Sequence, residues 1–275
     1  MAKGIDVINE IKWSAELIHK NYKQVAIPLI ILFLFSAGGG AGAQFPSGFR
    51  DGSDYDFSDL SSSFFELSAL IIVLVVFFVV ALLFLSLLNE SIWMYVYNFF
   101  YSLIYKNKIT ESWQGQIKRF AFKSFILMLL WLFIFVLAYS IPLLQIFWVI
   151  SSANFGLQQI ISEILKILFW LAISTLLFFL ALFFLSPLWV YYAIEGKPLL
   201  QSIKKSVSLV ARNLATFFVL SAVFFLLFIG SIIVSIVSAL CCLAWLVSPI
   251  TSVYLTLLYG VSLIKIKKEI ETSSG

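Results

Sequence analysis

The chain has 275 residues, 62% hydrophobic and only 12% charged, with a mean hydropathy of +1.04 and a formal net charge of +4. Soluble domains carry about 25% charged residues, so this composition excludes a surface that mostly faces water. Apolar runs long enough to cross a bilayer recur, and the longest polar stretch, 44–63, is too short to bury a core of its own. The expected class is therefore an all-α, multi-pass membrane protein forming a single transmembrane domain over 1–275.

Residues 5–22 read as an amphipathic helix leading into a first span at 24–43. The start is charged and lacks an apolar h-region with a small-residue cleavage site, so no cleavable signal is expected, and neither end carries a lipidation motif. The first span ends in a Gly- and Ala-rich run, 36–43, where another helix can approach closely. A polar loop follows with Asp51, Asp54, Asp56 and Asp59. Its spacing is not that of an EF-hand, and a solvated acidic loop is expected rather than a calcium site.

A second span begins near Phe64 and stays apolar to Leu88, but the pattern continues through Asn89 and Glu90 to Tyr105. At 1.5 Å per residue that run is about twice the hydrocarbon thickness. The helix is expected either to kink near Asn89 and lie along the membrane or to project from it. Its second half carries Trp93, Tyr95, Tyr97, Tyr101 and Tyr105, residue types that favour the interface. A basic connector, 106–123, contains a second amphipathic piece on Ile109, Trp113, Ile117 and Phe120. Span three covers 124–142, with an extension to 150 open, and a polar turn at 151–159 leads to span four, 160–186.

Pro187 stops span four. The connector 186–213 holds a third amphipathic helix, and span five follows at 214–237. A tight turn at Cys241 and Cys242 precedes span six, 244–264, which Pro249 interrupts. The tail from Lys265 onward is polar and expected to fray.

Sixteen of the eighteen Lys and Arg fall in the N-terminal segment, the second and fourth connectors and the tail; only Arg50 and Lys166 do not. Lys and Arg favour the cytoplasmic side. Six spans, with both termini cytoplasmic and a plasma-membrane location, satisfy this distribution. It also accounts for the net charge without nucleic acid as a partner.

A shift of 192 residues lays the N-terminal helix on the third one. Ile8, Ile11, Ala15, Ile18 and Tyr22 meet Leu200, Ile203, Val207, Val210 and Leu214, and Ser14, Leu17 and Asn21 recur as Ser206, Leu209 and Asn213. Three parallel units, 5–105, 106–187 and 188–265, are expected, each a cytoplasmic amphipathic helix followed by two spans. The run Pro187, Tyr191-Tyr192-Ala193-Ile194-Glu195-Gly196, Ser202-Ile203, Ser206, Leu209 and Asn213 resembles an uncharacterised six-span family that includes the membrane domain fused to some bacterial glycerophosphodiester phosphodiesterases. The motif is confined to 186–213, while the layout resembles that family over the whole chain. The resemblance implies the six-span layout and no hydrolase activity, because nothing here corresponds to the family's soluble catalytic barrel.

Candidate chemistry is sparse. The two cysteines are adjacent, no CxxC pair occurs and His19 is the sole histidine, so no metal, cofactor or catalytic residue is assigned. Adjacent cysteines make a strained bridge, and small packing residues are the plainer account of Cys241 and Cys242. His19 reads as solvated. Glu163 and Lys166 are expected to form an ion pair near the outer start of span four. Asn89 and Glu90 are the candidate intramembrane polar pair, either a polar exit from the membrane or a contact or cation site within the bundle; Asn89-Glu90-Ser91 also fits a glycosylation sequon that the inner side excludes from use. The basic faces of the amphipathic helices, with Lys12, Lys20, Lys204, Lys205 and Arg212, are the candidate contacts for anionic lipid or a partner protein. A non-enzymatic scaffold or accessory subunit binding lipids, other membrane proteins or itself is the first expectation. A transporter or lipid-handling channel is the alternative, and an intramembrane enzyme ranks last.

Overall fold

The computed structural model describes residues 5–41, 60–105, 113–151, 157–240 and 244–274. These form eight α-helices: α1 (Val7–Asn21), α2 (Ala26–Ala41), α3 (Leu60–Tyr105), α4 (Trp113–Ser151), α5 (Leu157–Leu185), α6 (Leu199–Arg212), α7 (Leu214–Leu240) and α8 (Ala244–Ser274). No strand occurs among the described residues. The acidic loop with Asp51, Asp54, Asp56 and Asp59, Arg50, the connector lysines Lys106 and Lys108, Ile109, and the Cys241-Cys242 turn lie outside the described residues.

Four described helices are long and apolar enough to cross a membrane: Gly115–Val149, Ser162–Leu185, Leu214–Ser238 and Val247–Ser273. Between 6% and 11% of the most apolar window is buried in the first three, against 50% in the last, which makes α8 the axis of the bundle. α1, α2, α3 and α7 all pack on it. The outward faces of α4, α5 and α7 are apolar, with Phe133, Phe147, Phe169, Phe179, Phe218 and Phe225 more than half exposed. Such a surface is stable in hydrocarbon and not in water.

The helical run 60–105 is one uninterrupted helix through Asn89 and Glu90, as the continuing pattern predicts. Two expectations are modified. The second amphipathic piece is not a separate element from Trp113 onward. α4 runs through to Ser151 and carries Pro142 within it. The tail is not frayed: α8 continues to Ser274, with Ile266, Lys267 and Ile270 buried. Glutamates four places after lysines, Lys265 with Glu269 at 2.5 Å and Lys267 with Glu271 at 2.8 Å, support this last part of the helix.

Helices α1 and α6 behave alike at matched positions. Ser14 and Ser206 are wholly buried, Ile18 and Val210 are buried with them, and beyond each helix Val25, in the 3-10 turn Tyr22–Val25, and Phe217 of α7 are buried too. Asn21 Nδ2 donates to the Leu17 carbonyl at 2.8 Å, and Asn213 Nδ2 to the Leu209 carbonyl at 2.9 Å. In both places the amide ties itself to the turn behind it just where one helix gives way to the next. The serines differ: Ser14 Oγ donates to Glu10 O within its own helix, whereas Ser206 Oγ reaches Phe184 O of α5 at 2.9 Å.

Candidate functional site

The connector between α5 and α6 is built by one proline and one glycine. Pro187 has no N–H to continue α5 and clashes with the preceding turn. The chain restarts as a short π-helix, Val190–Ile194, closed by Glu195 N–H donating to Val190 O at 2.9 Å. Short π segments shift the register of side chains and recur at functional sites. Here all five residues of the segment are buried and Glu195 stands at its end. Gly196 then takes φ 72°, a left-handed conformation that a side chain resists, and turns the chain into α6. Lys123 of α4 donates to Ala193 O at 2.9 Å and so caps the π segment from outside.

Glu195 belongs to a polar cluster centred on Lys267 of α8. The Lys267 ammonium, 1% exposed, lies 2.5 Å from Glu195 Oε1 and 2.8 Å from Glu271 Oε1. It also donates to Tyr105 Oη at 3.2 Å. The rings of Tyr191 and Tyr105 flank it at 4.8 and 5.2 Å, which places the cation against two π faces. Tyr101 Oη donates to Glu195 Oε1 at 3.4 Å, and Tyr105 Oη donates to Glu271 Oε2 at 2.8 Å. Lys197 pairs with Glu195 Oε2 and sits over the Tyr191 ring. Burial alone would raise the Glu195 carboxyl, but hydrogen bonds and charges from Lys197 and Lys267 hold it below its ordinary value. Burial, reinforced by the charges of Glu271 and Glu195, raises the Tyr191 phenol.

The two lysines beside Lys267 serve other elements. Lys265 lies 3.6 Å from Glu10 of α1 and over the Trp13 ring at 4.7 Å. Lys268 donates to Ile104 O at 2.6 Å, at the C-terminal end of α3, where a cation also meets the helix dipole favourably. One short segment thus ties α1, α3 and the α5–α6 connector together.

Against this cluster lies a cleft of about 780 Å³ whose wall includes Lys204, Lys205, Ser208 and Arg212 of α6, with Tyr191 and Glu271 opposite. The three basic side chains predicted on this helix therefore converge on one space. Lys12 and Lys20, predicted with them, stand exposed on α1 and do not line it. A second cavity, also about 780 Å³ and almost wholly apolar, opens between α5 and α7 with Phe183, Phe218 and Phe225 on its walls and Tyr259 of α8 among them.

The remaining predicted residues are separate from the cleft. Glu163 and Lys166 do pair, at 2.7 Å, beside Gln145 and Trp148 of α4. Asn89 is half-buried and Glu90 is exposed on α3. His19 is exposed, with its ring 6.0 Å from that of Tyr254. No group of three or more His, Cys, Asp and Glu suited to a metal occurs among the described residues.

Comparison with protein-family models, curated proteins and solved structures finds no match to this chain.

The sequence marks out Tyr191, Glu195 and the tyrosines of α3 but does not join them to Lys267, because 265–275 reads as a polar tail. The joining signal was present: the lysine-to-glutamate spacing of four at 265/269 and 267/271 marks a continuing helix.

Proposed function

We propose that this chain is a six-span membrane protein of the plasma membrane, with both termini cytoplasmic. It acts as a non-enzymatic scaffold or accessory subunit that binds lipid and neighbouring membrane proteins, further copies of itself included. The observation that carries this is the division of labour among its charges. Lys197, Lys265 and Lys267 are held in ion pairs, and Lys123 and Lys268 on backbone carbonyls; all but Lys197, whose partner Glu195 lies in the same connector, join one element to another. Lys204, Lys205 and Arg212 make no ion pair among the described residues and face an open cleft. Tyrosine and carboxylate groups that chemistry could use are engaged in holding helices together, while the free cations face outward, as in a protein that recognises anions rather than transforms them.

The spans would be α2, the apolar first part of α3, α4, α5, α7 and α8, with α1, the start of α4 and α6 as the helices at the basic end. Grouping them as α1–α3, α4–α5 and α6–α8 yields three parallel units. The resemblance of 186–213 to the six-span family agrees with this layout and adds no activity. A transporter or lipid-handling channel is the alternative, and the apolar cavity between α5 and α7 is what favours it.

Purification in mild detergent, with identification of what remains bound, tests the function. Co-purifying lipid or membrane proteins in a fixed ratio to the chain are expected. A clean monomer carrying neither would overturn the scaffold reading.

A further inference from the structure

The cleft beside α6 has a definite chemistry. Gln201, Lys205, Ser208 and Arg212 follow one another at spacings of four, three and four, with Lys204 three places after Gln201 and four before Ser208, so they occupy one face over about three turns of helix. Arg212 offers a planar fork of donors, Lys204 and Lys205 two point charges, and Ser208 a hydroxyl. That donor set fits the tetrahedral oxygens of a phosphate ester. The one carboxylate on the wall, Glu271, is already neutralised by Lys267 and hydrogen-bonded by Tyr105. Lys205 is held below the ordinary lysine value by contact with the Lys197 ammonium, a repulsion that a bound anion relieves. A volume of about 780 Å³ lies within the range of small-molecule sites.

The same helix says where that phosphate comes from. Leu200 and Val207, on the face next to the basic one, are 82% and 38% exposed. Apolar side chains bared on a helix between the end of one apolar span (Leu185) and the start of the next (Leu214) belong at the boundary of hydrocarbon and headgroups. The basic face is then level with lipid phosphates.

We propose that the cleft formed by Lys204, Lys205, Ser208 and Arg212 of α6 with Tyr191 and Glu271 binds the phosphate of an anionic phospholipid headgroup. This rests on the placement of the basic end at the membrane surface and names the ligand for it. The site is specific to α6: α1, its counterpart at matched positions, supplies Lys12 and Lys20 but no share of the cleft wall.

The test uses the full chain, delipidated and reconstituted in phosphatidylcholine nanodiscs with increasing phosphatidylglycerol, and counts by native mass spectrometry the phosphatidylglycerol retained on ejection. One anionic lipid per chain is expected to survive, and each charge removed from the set Lys204→Gln, Lys205→Gln and Arg212→Gln to weaken retention about fivefold. Lys12→Gln with Lys20→Gln, which removes two charges from α1 as Lys204→Gln with Lys205→Gln does from α6, should leave it unchanged. Helix content and gel-filtration profile establish that each variant is folded. If the triple variant is not, the single Lys204→Gln and Lys205→Gln variants, both fully on the surface of α6, carry the measurement. Equal loss from the α1 and α6 variants would overturn the site and leave only a diffuse charge effect. Displacement of the lipid by inorganic phosphate, at an ionic strength where chloride does not displace it, would overturn the lipid as source in favour of a soluble phosphate ester. Retention of lipid or partner by the triple variant at the level of the unchanged chain would sink the cleft proposal while sparing the scaffold function. Only a chain that retains nothing in any form would sink both.

Discussion

Lys267 illustrates how a buried charge becomes tolerable. A lysine removed from water costs several kcal/mol unless its ammonium is paired and its protons are used. Two carboxylates, one phenol oxygen and two ring faces supply that compensation here. The arrangement is pH-sensitive through Glu195. Its folded-state carboxyl lies below the ordinary value of 4.5, so its stabilising contribution is complete above that value and is lost as pH falls through the folded-state one. Thermal unfolding in detergent, followed from pH 7 down to about 3, should show a gap between the unchanged chain and a Glu195→Gln variant that is widest at neutral pH and closes on the acid side. A gap that stays constant across the range would show that the carboxylate charge is not what holds the connector.

At the scale of elements, the contact of α3 with α8 is set by one glycine. A Cβ on Gly260 would overlap the Tyr97 ring, so only glycine lets the two helices close to this distance. Tyr97 is fixed from three sides: its hydroxyl donates to Thr256 O at 2.9 Å, and its ring lies 5.4 Å from Trp93 and 4.5 Å from Trp189. Gly260→Ala should destabilise by about 1–3 kcal/mol, the usual cost of overpacking, seen as a lower melting temperature. Adding Tyr97→Leu should recover part of the loss, whereas Tyr97→Leu alone should destabilise. Helical periodicity made most elements legible: α1, α5, α6 and α7 begin and end within a few residues of where apolar spacing, Pro187 and Asn213 put them. The close approach at Gly260 was not legible, because nothing local to residue 260 reveals an aromatic ring arriving from residue 97. The uninterrupted α3 was half legible. The length of the run was apparent, but the burial of Ser91 to Tyr97 that keeps it helical past Asn89 comes from neighbours distant in sequence.

Across the whole molecule, the proposed units interlock in order. The first turns of α4 lie on the end of α3, where Asn98 Nδ2 donates to Gln116 Oε1 at 2.8 Å. α6 lies on the end of α5 through Ser206, and α1 closes the circle on α8 through Glu10 and Lys265. In the proposed layout each helix of the basic end rests on the last span of the unit before it. This layout requires position 201 and position 56 to face opposite sides of the membrane. In a chain whose own cysteines are replaced, a cysteine at 201, exposed on α6, should react with an impermeant maleimide only after the membrane is opened, and one at 56 in intact cells. Labelling of 201 from outside would overturn the topology. Residue 202, its neighbour, would be a poor probe because Ser202 is wholly buried.

The ties made by α8 have a further consequence, for the order of assembly. Tyr105 and its partner Lys267 are 162 positions apart, and at ~5–20 residues per second the first waits roughly 10–30 s for the second to be synthesised. Until then Tyr105 and the Ile104 carbonyl at the end of α3 have no lysine to meet, and Glu195 has Lys197 alone. The basic end is therefore the last region to acquire its final form during biogenesis, and an unfinished chain would expose those acidic and aromatic groups to whatever guards nascent membrane proteins.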